Sequence, residues 1–196
     1  MPLVTGVDSS TQSVKVVIRD ADSGELVAQA SEPHPDGTEV DPKAWEDALD
    51  KALAKVAQFK FEALSIAGQQ HGMVALNDKG EVIRKALLWN DTRSAKAAED
   101  LNSEIPNIHN RTGSRLVASF TASKVRWLCD NEPENAKQLA AIALPHDWLS
   151  WRLSGSTDLD QLFTDRSDAS GTGYFNPESN EYEDRKSTRL NSSHRT

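Results

Sequence analysis

Val7-Asp8-Ser9-Ser10-Thr11-Gln12-Ser13-Val14-Lys15-Val16-Val17-Ile18 reads as a strand, a tight polar turn and a second strand. An acidic residue closes the first strand, and small hydroxyl residues follow. Such a turn lets backbone N–H groups and hydroxyls approach an anion closely, as phosphate-binding nests do. A carboxylate beside a phosphate is costly unless a divalent cation lies between them. Asp8 therefore points to Mg2+, a hard ion held through one or two carboxylates plus phosphate oxygens. Lys15 adds a positive charge if its side chain faces the turn. The stretch is as compatible with an ordinary hairpin, because Ser and Thr are common turn residues.

Working outward, Leu3–Asp8, Ser13–Asp20 and Glu25–Ser31 read as three successive strands, with turn chemistry at Asp22-Ser23-Gly24. Pro33, Pro35, Gly37 and Pro42 mark a loop. Asp41-Pro42 then opens a helix, with Asp as N-cap and Pro at the first helical position. Trp45, Leu49, Leu53 and Val56 give it one apolar face. Ala63–Ala67 is a fourth strand, so the order is that of an α/β domain with a mixed central sheet. Met73–Leu76 and Val82–Trp89 read as extended, and helices dominate from Ser94 to Pro145, broken at Pro106, Gly113 and Pro133. A short strand at Ala140–Leu144 precedes a helix over His146–Leu153, stopped by Gly155. Thr157–Tyr174 reads as polar loop.

Three polar clusters carry candidate chemistry. Ala67-Gly68-Gln69-Gln70-His71-Gly72 follows a strand that belongs in the middle of the sheet, and α/β sheets bind ligands at the carboxyl ends of strands. Gln70 and His71 offer amide and imidazole groups that suit a polyhydroxylated sugar; a polar surface loop is the plainer reading. Leu88-Trp89-Asn90-Asp91-Thr92-Arg93 resembles a sugar-binding lip, in which Asp91 either meets ligand or caps the helix beginning near Ser94. Thr164–Gly173 is a third polar loop, in which Asp165 can line the site or sit in a surface turn.

Composition excludes several classes. The formal net charge is −8, which argues against nucleic-acid binding through a broad basic surface. No run of 18 apolar residues exists, so no membrane span is expected. The N-terminus lacks the marks of a secretory signal, and the single Cys129 cannot form an internal disulfide; both point to the cytoplasm. Cys129 lies in an apolar run and reads as a buried, inert thiol. The string Asp184–His194 resembles translated sequencing-adapter DNA, polar and without period, so 184–196 is read as a non-native tail and 1–183 as the domain. A natural basic tail is the alternative. Without this tail's net +3, residues 1–183 carry −11.

In this order the opening turn and the three clusters resemble the N-terminal domain of the FGGY family of carbohydrate kinases, most closely its D-xylulose-phosphorylating members. The turn is similar to the first phosphate motif of the actin, hexokinase and Hsp70 superfamily. AGQQHG resembles the family's substrate loop, which usually has Met where this chain has Gln70; LWNDTRS, FTASK (Phe120–Lys124), LPHDWLSWRLSG and SDASGT match further positions. The resemblance implies an actin-like ATPase (ribonuclease H-like) domain and phosphorylation of D-xylulose by ATP with Mg2+. Asp8 then acts through Mg2+, and Ser10, Thr11, Gln12 and Lys15 line the phosphate path. Gln70 and His71 hold the ketose, with Asn90 and Asp91 as weaker contacts. Ser9-Ser10 departs from the apolar residue and Gly that many members carry. The family's catalytic aspartate lies in a Gly-rich segment with no match in 1–183, so the resemblance implies an incomplete kinase, inactive alone, that exposes an apolar patch and aggregates. It leaves room for a homodimer in a full-length protein. Competing expectations are another sugar kinase of the family, such as a ribulokinase or gluconokinase, or a non-catalytic actin-like nucleotide- or sugar-binding module.

Overall fold

A computed structural model describes residues 1–183; the proposed tail, 184–196, lies outside the described residues. Strands β1 (Leu3–Ser9) and β2 (Ser13–Asp20) form the antiparallel hairpin the opening stretch dictates, with Asp8 opposite Lys15. Their side chains alternate strictly. Thr5, Val7 and Ser9 face inward with Val14, Val16 and Ile18, while Val4, Gly6, Asp8, Lys15 and Arg19 are exposed. Asp20 fixes the next turn, its Oδ1 accepting from the backbone N–H groups of Asp22 and Ser23. β3 (Leu26–Pro33) then pairs antiparallel with β2.

A two-residue strand, β4 (Glu39–Val40), precedes helix α1 (Pro42–Ala54) and was not visible in the sequence pattern. Asp41 caps α1 by accepting from the Lys43 N–H. Trp45, Ala48, Leu49 and Ala52 are buried where the helix lies across β2 and β3. β5 (Ala63–Gly68) then runs parallel to β1, completing the order β3-β2-β1-β5. The sheet is mixed, as the element order implies.

The remaining strands are short. β6 (Val74–Leu76), β7 (Ala86–Leu87) and β8 (Ala141–Ala143) are fully buried, and β6 pairs antiparallel with β8 and β4 with β7. They separate two apolar cores by alternation. Val74, Leu76, Ala86, Ala141 and Ala143 face the core under the sheet and α1, whereas Met73, Ala75, Leu87 and Ile142 face the second core. Burial on both faces explains why these segments read as continuous apolar runs. The extended reading over Val82–Trp89 shrinks to Ala86–Leu87 plus a bridge at Val82, with a bend at Arg84, whose guanidinium pairs with Glu39 and Glu132.

Helices α2 (Ala95–Glu104), α3 (Ile108–Thr112), α4 (Thr121–Asn131) and α5 (Pro133–Ala136) enclose the second core. α6 (Pro145–Leu153) packs on α1, with Trp45 and Trp148 edge to face at 6.4 Å. The stretch 157–174 is more ordered than its polarity implies. It holds a 3-10 turn at Leu159–Gln161 and helix α7 (Arg166–Ser170), followed by the hairpin β9 (Phe175–Asn176) and β10 (Glu181–Tyr182). Asp165 caps α7 by accepting from the Asp168 N–H at 2.8 Å, a local role sufficient to explain it. Cys129 is half-buried, and burial pushes its thiol pKa up, consistent with an inert thiol. No described helix is long and apolar enough to cross a membrane.

Candidate functional site

The parallel pair β1 and β5 ends in register at Ser9 and Gly68, and the Gln69 N–H donates to the Ser9 carbonyl at 3.0 Å. The hydroxyl turn and the AGQQHG loop therefore leave the sheet side by side at the carboxyl ends of two parallel strands, where open α/β sheets place ligands.

In the turn, Asp8 is exposed and its Oδ1 accepts from the Ser10 hydroxyl at 2.7 Å. The Ser10 N–H is engaged by the Ser13 carbonyl, so it closes the turn instead of facing an anion. The Ser10 carbonyl accepts from His34 Nδ1 at 2.9 Å, and the His34 N–H donates to the Gln12 carbonyl. His34 is buried, which lowers its pKa, so this brace is a neutral imidazole. Sequence reading missed it; its only signal is a polar residue between Pro33 and Pro35. Lys15 projects on the same sheet face as Asp8. An exposed hard-oxygen donor beside hydroxyls and a lysine fits a water-mediated Mg2+ with phosphate.

Trp89 and Asn90 are exposed, and the Trp89 indole N–H donates to Thr11 Oγ1 at 2.9 Å. This bond joins the lip to the turn. Asp91 is different, being only 4% exposed. Its Oδ2 accepts from the Thr38 hydroxyl at 2.8 Å and its Oδ1 from both the N–H and Nε of Arg93. Burial opposes its charge, but these bonds outweigh it and hold the carboxyl below the usual range. Asp91 is thus a brace for the segment carrying Trp89 and Asn90. Nor does it cap α2, whose N-cap position is Ser94.

Three segments converge on His71. Its ring lies 5.1 Å from that of Phe120, and its Nδ1 is 2.7 Å from the Gly171 carbonyl. Ala122 N–H donates to the Thr172 carbonyl, tying α4 to the turn after α7. His71 has φ 64°, a left-handed backbone uncommon outside glycine that this surrounding structure must hold in place. Lys124 is fully buried and donates to the carbonyls of Ala118 and Ser119; burial pulls its pKa down to about 7 against the charge of Asp91. The FTASK string thus builds the wall behind His71.

Beside this lies a cluster no composition argument would single out. His146 Nδ1 is 2.6 Å from Asp168 Oδ2 and 3.0 Å from Asp147 Oδ1. Asp147 and Asp168 raise the His146 pKa to about 10, so it is an imidazolium at neutral pH. These three residues are also a candidate ion-binding set. A separation of 2.6 Å between two donor atoms is tighter than ligands at about 2.0–2.2 Å from one metal normally sit, so a shared proton explains the contact better. Gln70 Nε2 reaches the other Asp168 oxygen at 3.5 Å.

Residues 3–192 match the FGGY family of carbohydrate kinases, N-terminal domain. Over 183 residues the chain is 46% identical to the xylulose kinase of Streptomyces coelicolor, covering 89% of this chain and 37% of that protein. An Arthrobacter xylulose kinase is 62% identical over 96 residues, 48% of this chain and 100% of that sequence. The crystal structure of xylulose kinase from Bifidobacterium adolescentis matches with TM-score 0.88 at 47% identity, covering 92% of this chain and 41% of that one. A Plasmodium falciparum glycerol kinase, 23% identical with TM-score 0.84, shares the fold. The architecture is that of the actin-like ATPases, and the chain spans 37% of the length of the two Streptomyces relatives.

Proposed function

Because this chain belongs to the FGGY family of carbohydrate kinases, we propose that residues 1–183 form the sugar-binding domain of a kinase that transfers the γ-phosphoryl group of ATP to D-xylulose. The observation that carries this reading is the meeting of the Gln70–His71 loop, the Trp89 lip and the Thr11 turn at the ends of β1 and β5. Phosphoryl transfer depends mainly on positioning and on neutralising charge, and these residues are arranged for positioning.

Gln70 and His71 hydrogen-bond the sugar hydroxyls. Trp89 offers an exposed apolar ring edge, with Asn90 next to it as a further polar contact. Thr11 accepts from Trp89 through Oγ1 and keeps its own O–H for a phosphate oxygen. Asp8 would hold Mg2+ through water, with Ser10, Gln12 and Lys15 beside it in the turn. Mg2+ bound with ATP supplies charge neutralisation at the phosphates. Asp165 is not assigned the role of base, since capping α7 accounts for its position. The kinase is placed in the cytoplasm, where its nucleotide is found.

The test is calorimetric titration of the chain with D-xylulose, D-ribulose and D-gluconate. Preferential binding of D-xylulose, weakened at least five-fold in Gln70→Ala and His71→Ala, is the expected result. Equal binding of all three, or variants indistinguishable from the parent, would remove the basis for this reading.

A further inference from the structure

The hydrogens around the AGQQHG loop can be placed from chemistry alone. A carbonyl oxygen only accepts, so the 2.7 Å contact between His71 Nδ1 and the Gly171 carbonyl requires the hydrogen on Nδ1. In a neutral ring, Nε2 then carries a lone pair and is an acceptor. Burial lowers the His71 pKa, which keeps the ring neutral at pH 7. The Asp168 carboxylate likewise only accepts. It accepts from the Gln70 amide nitrogen at 3.5 Å, which engages one of the two N–H donors and turns Oε1 of that carboxamide the other way.

Both partners come from one short turn. Asp168 is 8% exposed and held on three sides: its N–H by Asp165, its Oδ2 by His146, its Oδ1 by Gln70. A buried carboxylate is costly unless paired, and the imidazolium of His146 pairs it. Gly171 has φ −87°, which any residue adopts, so backbone freedom is not why glycine stands there. A Cβ at 171 would lie 2.5 Å from His71 Cε1 and 2.7 Å from Nδ1. Glycine is required because the imidazole lies directly on that backbone.

We propose that the α7 turn, through the Asp168 carboxylate and the Gly171 carbonyl, is a positioning element that presents Gln70 and His71 as paired hydrogen-bond acceptors. This rests on the reading that Gln70 and His71 meet the sugar. Its consequence is a specificity rule. Two acceptors bind the O–H groups of a neutral polyol and disfavour a carboxylate or phosphate, which has no hydrogen to give and carries like polarity. The loop therefore selects neutral ketoses over sugar acids at this point of contact.

The first measurement is long-range 1H–15N NMR of the histidine rings in the labelled, unliganded chain at pH 7, with His71 assigned by its loss in His71→Gln. The Nδ1–H tautomer is expected; the Nε2–H tautomer overturns the proposal. The second measurement compares D-xylulose with analogues in which each hydroxyl is replaced in turn by fluorine, which cannot donate, or by hydrogen. At the contacted positions, the fluoro analogue should lose as much affinity as the deoxy analogue, about five-fold per hydrogen bond. Fluoro analogues that all bind like D-xylulose overturn the proposal. Asp168→Asn should weaken D-xylulose about five-fold and leave the His71 tautomer unchanged, while Gly171→Ala should alter the tautomer signal and the affinity together. If neither variant moves either readout, α7 is not the positioning element. If the tautomer is as expected but no sugar binds, the proposed function fails while the hydrogen placement stands.

Discussion

The indole N–H of Trp89 donates to Thr11 Oγ1 at 2.9 Å, closing a gap of 78 residues between the lip and the turn that joins β1 to β2. Trp89 is 48% exposed, whereas Trp45, Trp148 and Trp151 are buried and Trp127 is half-buried. Acrylamide quenching therefore reports mainly on Trp89. Saturating D-xylulose should reduce the quenchable fraction, and Trp89→Phe should abolish that change. The same variant should cost little stability, about 0.5–1.5 kcal/mol for one partly exposed hydrogen bond. Quenching that ignores the sugar would take Trp89 out of the site.

Between about pH 7 and 10, two groups with the largest opposed shifts, His146 and Lys124, pull stability in opposite directions. His146 is held up to about 10 by Asp147 and Asp168, against an ordinary value of 6.5. Its stabilisation is complete below 6.5 and is lost as pH rises toward 10. Lys124 is drawn by burial down to about 7 from 10.5. The unfolded chain then binds the extra proton between 7 and 10.5, so this group adds stability as pH rises. Each slope is about 1.4 kcal/mol per pH unit where fully developed, and the two nearly cancel. The melting midpoint should be nearly flat from about pH 7.5 to 9.5, rising with pH in His146→Gln and falling in Lys124→Met. Below 6.5 it should decline, because burial lowers the values of His34 and His71 and the unfolded chain takes up their protons first. Parallel profiles for both variants and the parent would contradict this assignment.

How much of this was legible in the sequence differs by element. The β1–β2 hairpin was, because its alternation encodes a half-buried pair directly. Helix α1 was too, because Asp41-Pro42 fixes its start and one apolar face fixes its seat. The AGQQHG loop could be placed at a strand end for the same reason. The helix-cap alternative for Asp91 fails because Ser94 holds that position, and its hydrogen bond from Thr38, 53 residues away, leaves no mark on a local pattern. His146, Asp168 and Gly171 are brought into the site by contacts 22 to 100 residues distant. A local pattern carries no trace of those. Helix α7 was hidden because five polar or small residues show no apolar period.

Glu39 joins two arginines that the fold must keep near each other. Its Oε1 accepts from Arg84 at 2.6 Å and its Oε2 from Arg93 at 2.8 Å, and both guanidiniums lie within 5.5 Å of the Trp127 ring centroid. Arg84 is 7% exposed in its side chain, while Glu39 is 31% exposed, so solvent screens part of the interaction. Glu132 and Asp91 still neutralise the arginines if Glu39 is lost. Glu39→Gln should therefore cost about 1–2 kcal/mol, less than for a fully buried pair. Urea melts should show a lower midpoint with an unchanged slope. Since Arg93 holds Asp91 and Asp91 anchors the Trp89 segment, the quenchable tryptophan fraction should rise in the same variant.

Gly72 tests whether the AGQQHG loop takes its position from α6. A Cβ there would fall 2.5 Å from Pro145 Cγ and 2.9 Å from its Cδ, in the first turn of the helix. Both groups are buried, and a proline ring has little room to yield. Gly72→Ala should cost about 1–3 kcal/mol as an overpacked contact and shift the neighbouring His71. Pro145→Ala removes the obstructing ring and leaves a small void. In the double variant the two losses should fall short of their sum by about 0.5–3 kcal/mol, the range of coupling between touching residues. D-xylulose affinity should follow the same pattern, falling in Gly72→Ala and recovering in the double variant. Strict additivity in stability, with affinity unrestored, would mean that α6 does not set the loop.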